Sequence, residues 1–294
     1  MQVTEMSDEI DQHRQYLFAV AYRMLGSISE AEDAVQETFL KWQKCDRAAI
    51  QSQRAWMTTV ITRISINHLK SARVQREHYV GEWLPEPFIG EAGAGPQENL
   101  ELAESLSMAF LVLLETLTPT ERAVFLLREV FDYEFSEIAQ IVEKSEVNCR
   151  QLLGRARKHI QAKRPSFEIP SEEAKQLLKL FQEALVHGDV QALLKTLSPG
   201  VVFVSDGGGN ARAVLRPVSG ADTVARLLIG AVQKFGSMTE IRRYAIVNNL
   251  PGIVSFEDGR PVRVVAFGIC SGAIQALYVI TNPDKLRHLK NCLR

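Results

Sequence analysis

Residues 136–159 carry side chains whose types and spacing suit hydrogen bonding to DNA. A short apolar helix pattern stops at Val142, and Ser145 can cap a second helix after a three-residue turn. That helix has one apolar stripe, formed by Cys149, Leu153, Ala156 and Ile160. Its opposite face is polar and basic and consists of Asn148, Arg150, Gln151, Arg155, Arg157 and Lys158. Because Arg and Gln hydrogen-bond guanine and adenine edges, the pattern predicts a helix-turn-helix whose second helix enters the major groove. A helical hairpin with a basic surface is the alternative.

The charges are distributed in blocks along the chain. Residues 47–76 contain six Lys and Arg and no acid, and residues 147–164 again contain six and no acid. Between them, residues 77–121 contain nine acids and no Lys or Arg. The net charge of −1 therefore conceals two positive surfaces separated by an acidic connector. For either block alone, a solvated charged face is the alternative.

The sequence indicates neither a catalytic nor a metal site. The four cysteines show no CxxC and no metal-ligand spacing with histidine, so we expect reduced thiols, no metal and no cofactor. In the C-terminal part, Asp206 is the best candidate acid, but it begins a glycine-rich turn. The uncharged stretch 264–283 has a turn-like centre and fits a β-hairpin better than a membrane span. The acidic N-terminus is unlike a signal peptide, so we expect a cytoplasmic protein that is not bound to a membrane.

The elements that position these side chains fall into three parts, which is a reasonable number for 294 residues. Residues 1–76 are helical, with a break at Gly26-Ser27, and residues 77–99 form a Pro- and Gly-rich linker with little regular structure. Residues 100–164 are helical, with breaks at Thr118-Pro119 and near Asp132. After a short linker at residues 165–170, residues 171–294 mix helices and strands. The predicted fold is two all-α domains followed by an α+β domain.

Two segments resemble a known family. LTPTERAVFLLR at residues 117–128, with EIA at 137–139 and RAR at 155–157, is similar to region 4 of extracytoplasmic-function (ECF) sigma factors, which reads the −35 promoter element. AEDAVQETFLKW at residues 31–42 resembles region 2.2, the helix that docks on RNA polymerase. Its apolar stripe leaves an exposed docking face formed by Asp33, Gln36, Glu37 and Leu40. The resemblance implies RNA polymerase core and promoter DNA as partners.

The basic stretch at residues 54–76 resembles regions 2.3 and 2.4, which open the −10 element and capture flipped bases. The implied −10 contacts are Arg63, Asn67, His68, Lys70, Ser71, Arg73 and Arg76. An acid-free groove suits a DNA backbone, and Asn, His and Ser side chains can hydrogen-bond base edges. Ile64 departs from the family pattern, in which an asparagine often follows the arginine.

Three further motifs resemble those of the ECF subgroup whose members carry a fused C-terminal SnoaL-like domain. A SnoaL-like domain is a cone-shaped α+β fold. The three motifs are Trp83-Leu84-Pro85-Glu86-Pro87, Asp206-Gly207-Gly208-Gly209-Asn210 and Asn282-Pro283-Asp284-Lys285-Leu286. The resemblance implies that these residues make regulatory contacts in place of a separate anti-sigma protein. Asn210 departs from the pattern, since a basic residue usually closes the glycine motif.

We therefore expect an alternative sigma factor, monomeric when free, that directs promoter-specific transcription initiation. Residues 166–294 carry 15 Lys and Arg against 11 acids, so the C-terminal domain and the acidic linker can attract each other and modulate activity. One alternative is a DNA-binding transcription regulator that senses a small-molecule ligand in its C-terminal pocket and acts without polymerase core. Another is an enzyme fused to a DNA-binding module, which requires a catalytic pair that the sequence lacks.

Overall fold

The computed structural model describes residues 2–76, 79–90, 107–161, 167, 171–235 and 241–291. The chain divides into two compact units. The first contains residues 1–78 and 111–164, and the second contains residues 79–110 and 165–294. Within the described ranges, no helix combines the length and the apolar character needed to cross a membrane.

The first unit begins with three long helices, α1 (Gln2–Leu25), α2 (Ile28–Lys44) and α3 (Gln53–Arg76). The predicted break after α1 is confirmed: Gly26 has a φ of +68°, and the Ser27 hydroxyl accepts a hydrogen bond from the Glu30 N–H at 3.2 Å. A short 3₁₀ helix, Arg47–Ala49, lies between α2 and α3. The apolar stripe of α2 is buried as predicted, with Trp42 only 4% exposed.

Within residues 107–161, the described part of the predicted region 4, the helices are α4 (Met108–Leu114), α5 (Pro119–Glu129), α6 (Phe135–Val142) and α7 (Glu146–Gln161). The Thr118 and Glu121 side chains form a reciprocal capping box at the start of α5. Glu143 adopts the left-handed conformation that ends α6, with a φ of 55°. The Ser145 hydroxyl then accepts from the Asn148 N–H at 3.2 Å. The helix-turn-helix and its Ser145 cap are thus confirmed.

The second unit is built on a seven-stranded sheet in the order β1-β4-β5-β6-β7-β2-β3. The strands are β1 (Ile89–Gly90), β2 (Leu197–Asp206), β3 (Val218–Ser219), β4 (Ile241–Val247), β5 (Leu250–Glu257), β6 (Arg260–Cys270) and β7 (Ala273–Ile280). The pair β2 and β7 is parallel, and the other pairs are antiparallel. The expected hairpin within residues 264–283 is confirmed by β6 and β7.

The helices of the second unit are α8 (Glu172–His187), α9 (Val190–Leu194), α10 (Ala221–Phe235) and α11 (Pro283–Leu286). A 3₁₀ helix, Arg287–Asn291, follows α11. The Phe181 ring of α8 meets the Phe267 ring of β6 edge to face, with the ring centres 5.3 Å apart. Leu193 and Leu277 belong to the same buried core. The predicted fold class, two all-α domains followed by an α+β domain, is confirmed.

Residues 79–90, the described part of the linker, have little regular structure, as predicted, apart from two residues. Ile89 and Gly90 form β1 and pair with Val247 and Ile246 of β4. β4 would otherwise be an edge strand, and pairing with the linker covers its end at Ile246 and Val247. Residues 91–99 of the linker lie outside the described residues.

β5 contains Pro251 and Gly252, residues that are more typical of turns than of strand interiors. Gly252 instead lets neighbouring strands approach closely, since a Cβ there would lie 2.5 Å from Val247 Cγ2 and 2.8 Å from the Val265 carbonyl oxygen. Pro251 lies opposite Ile246 in the β4–β5 pair.

Candidate functional site

Asp206 lies at the end of β2 and has no exposed surface. Its Oδ2 accepts hydrogen bonds from Lys285 Nζ at 2.7 Å and from the Leu84 N–H at 2.8 Å. Its Oδ1 accepts from the Tyr79 hydroxyl at 2.6 Å and from the Gly208 N–H at 3.0 Å. A buried carboxylate is costly without partners, so these donors and the Lys285 charge are what stabilise it.

Lys285 binds the linker as well as Asp206. Its ammonium group lies 4.0 Å from the centre of the Trp83 ring and donates to the Leu84 carbonyl oxygen. Both backbone groups of Leu84 are therefore bound, and its side chain is fully buried. Further along, His288 Nε2 lies 2.9 Å from the Pro87 carbonyl oxygen. These bonds use the linker backbone, whereas composition predicted an attraction between opposite net charges.

The strand order explains why two of the motifs meet. β2 runs parallel to β7, with Asp206 opposite Ile280, so residues that follow the two strands are neighbours. The Thr281 and Asn282 N–H groups donate to the Asp206 carbonyl oxygen at 2.8 and 3.1 Å. Asn282 caps α11 by accepting from the Asp284 N–H at 3.0 Å. The Asp206 and Asn282 motifs are thus joined through backbone bonds.

The linker segment makes further hydrogen bonds with the rest of the second unit, to which it belongs. The Phe88 N–H donates to Asn248 Oδ1 at 3.0 Å, and the Asn248 N–H returns a bond to the Phe88 carbonyl oxygen at 2.8 Å. Asn282 Nδ2 donates to the Tyr79 hydroxyl at 3.0 Å. Tyr79, Asn248 and His288 were not predicted as site residues, because each is remote in sequence from its partner and carries no motif of its own.

The remaining motif residues divide by exposure. Pro85, Glu86, Pro87, Gly207 and Leu286 are buried, whereas Gly209, Asn210, Pro283 and Asp284 are exposed. Asp284 forms an exposed ion pair with Arg287. The structure therefore brings all three motifs together, with Asp206, Lys285 and Leu84 at the centre. We call this arrangement the linker clamp.

Replacing Gly208 with alanine should weaken the linker clamp. Gly208 has a φ of +60°, and a Cβ there would come within 2.6 Å of Asn282 Cγ. Gly259 is a matched control, with a φ of +72° and nothing within 4 Å of its Cβ position. Both substitutions incur the left-handed backbone penalty of roughly 1 kcal/mol. We expect Gly208→Ala to lower the free energy of unfolding further and to expose residues 83–88 to proteolysis; equal effects would contradict the role of Asn282.

The predicted −35 reader is arranged as the sequence suggested, although two of its arginines are paired. Cys149 is fully buried in α7, and burial raises the pKa of its thiol, which suits a core residue. Arg150 pairs with Glu146 at 2.8 Å, and Arg157 pairs with Glu129 at 2.7 Å. The exposed residues of this face also include Gln151, Arg155 and Lys158, while Asn148 is half-buried.

The predicted −10 residues lie on α3. Asn67, Lys70 and Ser71 are exposed and His68 is half-buried. The side chains of Arg73 and Arg76 lie outside the described residues. Trp56 of α3 is half-buried, and its ring centre lies 5.2 Å from that of Trp42.

Arg63 of α3 contacts the end of α6, the first helix of the helix-turn-helix. Its Nε donates to the Ile141 carbonyl oxygen at 2.9 Å, and its Nη2 donates to the Gln140 carbonyl oxygen at 2.8 Å. Its Nη1 lies 3.1 Å from Glu143 Oε1. A cation at a helix C-terminus is favoured by the exposed carbonyl groups there. In this conformation Arg63 is therefore occupied by the helix-turn-helix.

Buried polar contacts reinforce this packing within the first unit. The Tyr133 hydroxyl donates to Thr58 Oγ1 at 2.9 Å and lies 3.0 Å from the Tyr16 hydroxyl. Burial raises the pKa of Tyr16, which keeps this phenol protonated. Arg122, only 3% exposed, donates to the Met24 carbonyl oxygen at 2.6 Å. The sequence suggested two basic surfaces on a flexible connection, whereas here they belong to one compact unit.

The candidate polymerase-docking face on α2 is open to solvent. Asp33 and Gln36 are exposed, and Leu40 has an exposed fraction of 48%. Glu37 is half-buried and pairs with Lys41 at 2.9 Å. Single exposed apolar side chains are common on protein surfaces, so docking of polymerase on this face stays a prediction.

The helical unit with its helix-turn-helix defines a promoter-recognition protein, and comparison with known proteins identifies its class. Residues 10–74 match the Sigma-70 region 2 family, and residues 107–160 match the Sigma-70, region 4 family. The chain is 36% identical over 288 residues to ECF RNA polymerase sigma factor SigJ of Mycobacterium tuberculosis, covering 94% of this chain and 92% of that protein. It is 30% identical to probable ECF RNA polymerase sigma factor SigI of the same species, covering 95% of this chain and 93% of the relative.

The crystal structure of Mycobacterium tuberculosis SigJ matches with a TM-score of 0.76 and 33% identity, covering 96% of this chain and 98% of that one. The chain belongs to the ECF RNA polymerase sigma factors. It is an alternative sigma factor for promoter-specific transcription initiation, and the match to SigJ includes the C-terminal extension. Membership of this family favours the sigma factor over a regulator that acts without polymerase core.

Proposed function

We propose that the C-terminal domain of this sigma factor modulates its activity by holding the linker between regions 2 and 4. The observation that carries this proposal is the linker clamp, in which Asp206 and Lys285 bind both backbone groups of Leu84. β1 extends the hold by pairing with β4. A segment fixed in this way has less freedom to change its length and path, so the clamp restrains the connection between the two DNA-reading regions.

The promoter contacts are assigned to the two basic helices. On α7, Gln151, Arg155 and Lys158 are exposed and suited to the −35 element. Arg150 and Arg157 must exchange their carboxylate partners for DNA, which reduces their net contribution. On α3, Asn67 and Lys70 are exposed and suited to the −10 element, and Asp33, Gln36 and Leu40 on α2 are suited to polymerase core.

Use of Arg63 at the −10 element requires a rearrangement of the first unit. Its guanidinium group is bound to the Gln140 and Ile141 carbonyl oxygens and to Glu143. Binding to polymerase core and DNA therefore has to replace these contacts, and their loss is part of the free-energy cost of initiation.

The C-terminal domain acts in this proposal as a binding module without chemistry of its own. A general acid or base must reach a substrate proton, directly or through one water molecule. Asp206, the candidate acid, instead has its carboxylate bound by Lys285, Leu84, Tyr79 and Gly208. Because all of these bonds are structural, they support a role for Asp206 in holding the linker.

Transcription in vitro with RNA polymerase core tests both the sigma-factor activity and its modulation by the C-terminal domain. Full-length chain should give promoter-specific transcripts that core alone does not give. Truncation after Thr281 removes Lys285 and leaves Asp206 buried without its counter-ion, whereas β4 still pairs with β1. Truncation after Arg164 removes every strand that holds the linker. We expect the two truncations to differ in activity; full-length activity in both would overturn the modulation while leaving the sigma assignment intact.

A further inference from the structure

A recess in the C-terminal domain lies between α8 and the neighbouring sheet. Its helix wall presents Lys175, Lys179 and Gln182, and its sheet wall presents Arg242 and Tyr244. Its volume is about 380 Å³, which lies in the range of roughly 300 to 1,000 Å³ that small-molecule sites occupy. The adjacent core is filled by apolar side chains, including Phe181 and Phe267. The recess therefore lies beside the core and is not a gap within it.

Tyr244 lines the recess, and its hydroxyl group is a buried donor. It has no hydrogen-bond partner among the residues that the structure describes, although it is shielded from solvent. Burial raises the pKa of Tyr244, so the phenol is protonated at neutral pH and can donate. A buried polar group without a partner destabilises the fold, and a bound acceptor atom would remove that cost.

The cationic side chains of the helix wall are held only weakly by their present partners. Lys175 lies 2.5 Å from Glu172, and Lys179 lies 4.0 Å from Glu183, and all four side chains are substantially exposed. The Lys175 ammonium group is 5.5 Å from the centre of the Tyr244 ring. Exposed pairs contribute little to stability, so an incoming anion can replace the glutamates at small cost.

We infer that this recess binds a small carboxylic acid with an aromatic or aliphatic body. Its carboxylate would accept hydrogen bonds from the Lys175 and Lys179 ammonium groups and from the Tyr244 hydroxyl. Its body would lie against Leu178 and Ile253, the apolar lining of the same recess. Inorganic phosphate has the charge for the polar groups but leaves the apolar lining uncovered.

The position of the recess connects it with the linker, and this step rests on the modulation proposed above. Arg242 and Tyr244 belong to β4, whose residues Ile246 and Val247 pair with β1 of the linker. A ligand that orders β4 therefore also favours the pairing of Ile89 and Gly90 with it. The carboxylic acid would strengthen the hold of the domain on the linker.

Calorimetric titration of the full-length chain with benzoate, hexanoate and inorganic phosphate at constant ionic strength tests the site. At least one carboxylate should bind saturably with a stoichiometry of one, and phosphate should bind more weakly. Loss of one charged or buried hydrogen bond should reduce affinity about tenfold in Lys179→Ala and in Tyr244→Phe. Lys195→Ala, an exposed lysine of the same domain outside the recess, is the matched control and should bind as the wild type does.

Hydrogen exchange of residues 84–90 provides a second readout, and exchange should slow when the bound carboxylate saturates the chain. Three results would overturn the inference: no saturable binding of either carboxylate, phosphate binding as tightly as both, or equal weakening by Lys195→Ala. Because these measurements need neither polymerase nor promoter, their failure is distinguishable from failure of the proposed modulation. Binding without a change in linker exchange would keep the site and overturn its coupling to β4.

Discussion

Substitution of Asp206 by asparagine should lower the free energy of unfolding of the chain by about 3 to 5 kcal/mol, the usual cost of removing one partner of a buried ion pair. Lys285 would remain with its side chain only 8% exposed and without its counter-ion. Urea unfolding followed by far-UV circular dichroism measures the loss. A second effect should accompany it, since the Leu84 N–H loses its charged acceptor and residues 83–88 should become sensitive to proteolysis.

Asp284→Asn is the matched control for Asp206→Asn. Asp284 belongs to the same cluster of motifs and pairs with Arg287, but both side chains are more than half exposed, at 52% and 74%. Exposed pairs contribute about 0 to 1 kcal/mol, so this variant should unfold almost as the wild type does. A loss as large in Asp284→Asn as in Asp206→Asn would show that burial does not set the importance of Asp206.

The helical elements could be predicted because their signals are local. The Thr118-Pro119 break and the Ser145 cap are read from a few neighbouring residues, and both are present. The buried stripe of α7 follows from helical spacing alone. Strand β5 could not be predicted in the same way, because Pro251 and Gly252 are typical of a turn and form a strand here by pairing with β4 and β6.

The linker clamp was only partly accessible from the sequence. Its three motifs could be singled out, but not the bonds that join them, because Leu84, Asp206 and Lys285 are far apart in the chain and meet only through the parallel pairing of β2 and β7. Net charge suggested a diffuse attraction. The actual contacts are hydrogen bonds to the N–H and carbonyl groups of Leu84. The composition of the chain cannot reveal such contacts.

The packing of Arg63 on the helix-turn-helix was inaccessible for a similar reason. A basic residue in a DNA-reading segment is expected to be available to DNA, yet the Arg63 guanidinium is bound to carbonyl groups of Gln140 and Ile141. Arg63 and Lys70 are both exposed on the same helix, and nothing local shows that Arg63 has these partners. Only the fold of the first unit decides which basic side chain is bound within the protein.

Arg155 and Arg157 provide the second large effect, because they lie two residues apart on α7 but differ in their partners. Both are exposed, but Arg157 pairs with Glu129 at 2.7 Å, whereas Arg155 has no ion pair within the described part of the chain. We expect Arg155→Ala to weaken binding of the reconstituted holoenzyme to promoter DNA by about 1 to 3 kcal/mol, or roughly tenfold to a hundredfold. Arg157→Ala should have an effect smaller by about 0 to 1 kcal/mol, the usual value of an exposed ion pair, since binding DNA obliges Arg157 to leave Glu129.

Titration of a promoter fragment with holoenzyme over a range of salt concentrations measures both variants. If Arg155 contacts a phosphate, the slope of log affinity against log salt should fall by about one unit in Arg155→Ala. Glu129→Gln supplies the complementary test, because it removes the competing carboxylate and should make holoenzyme binding tighter through Arg157. An effect of Arg157→Ala equal to that of Arg155→Ala, with no gain in Glu129→Gln, would show that the Glu129 pair does not restrain Arg157.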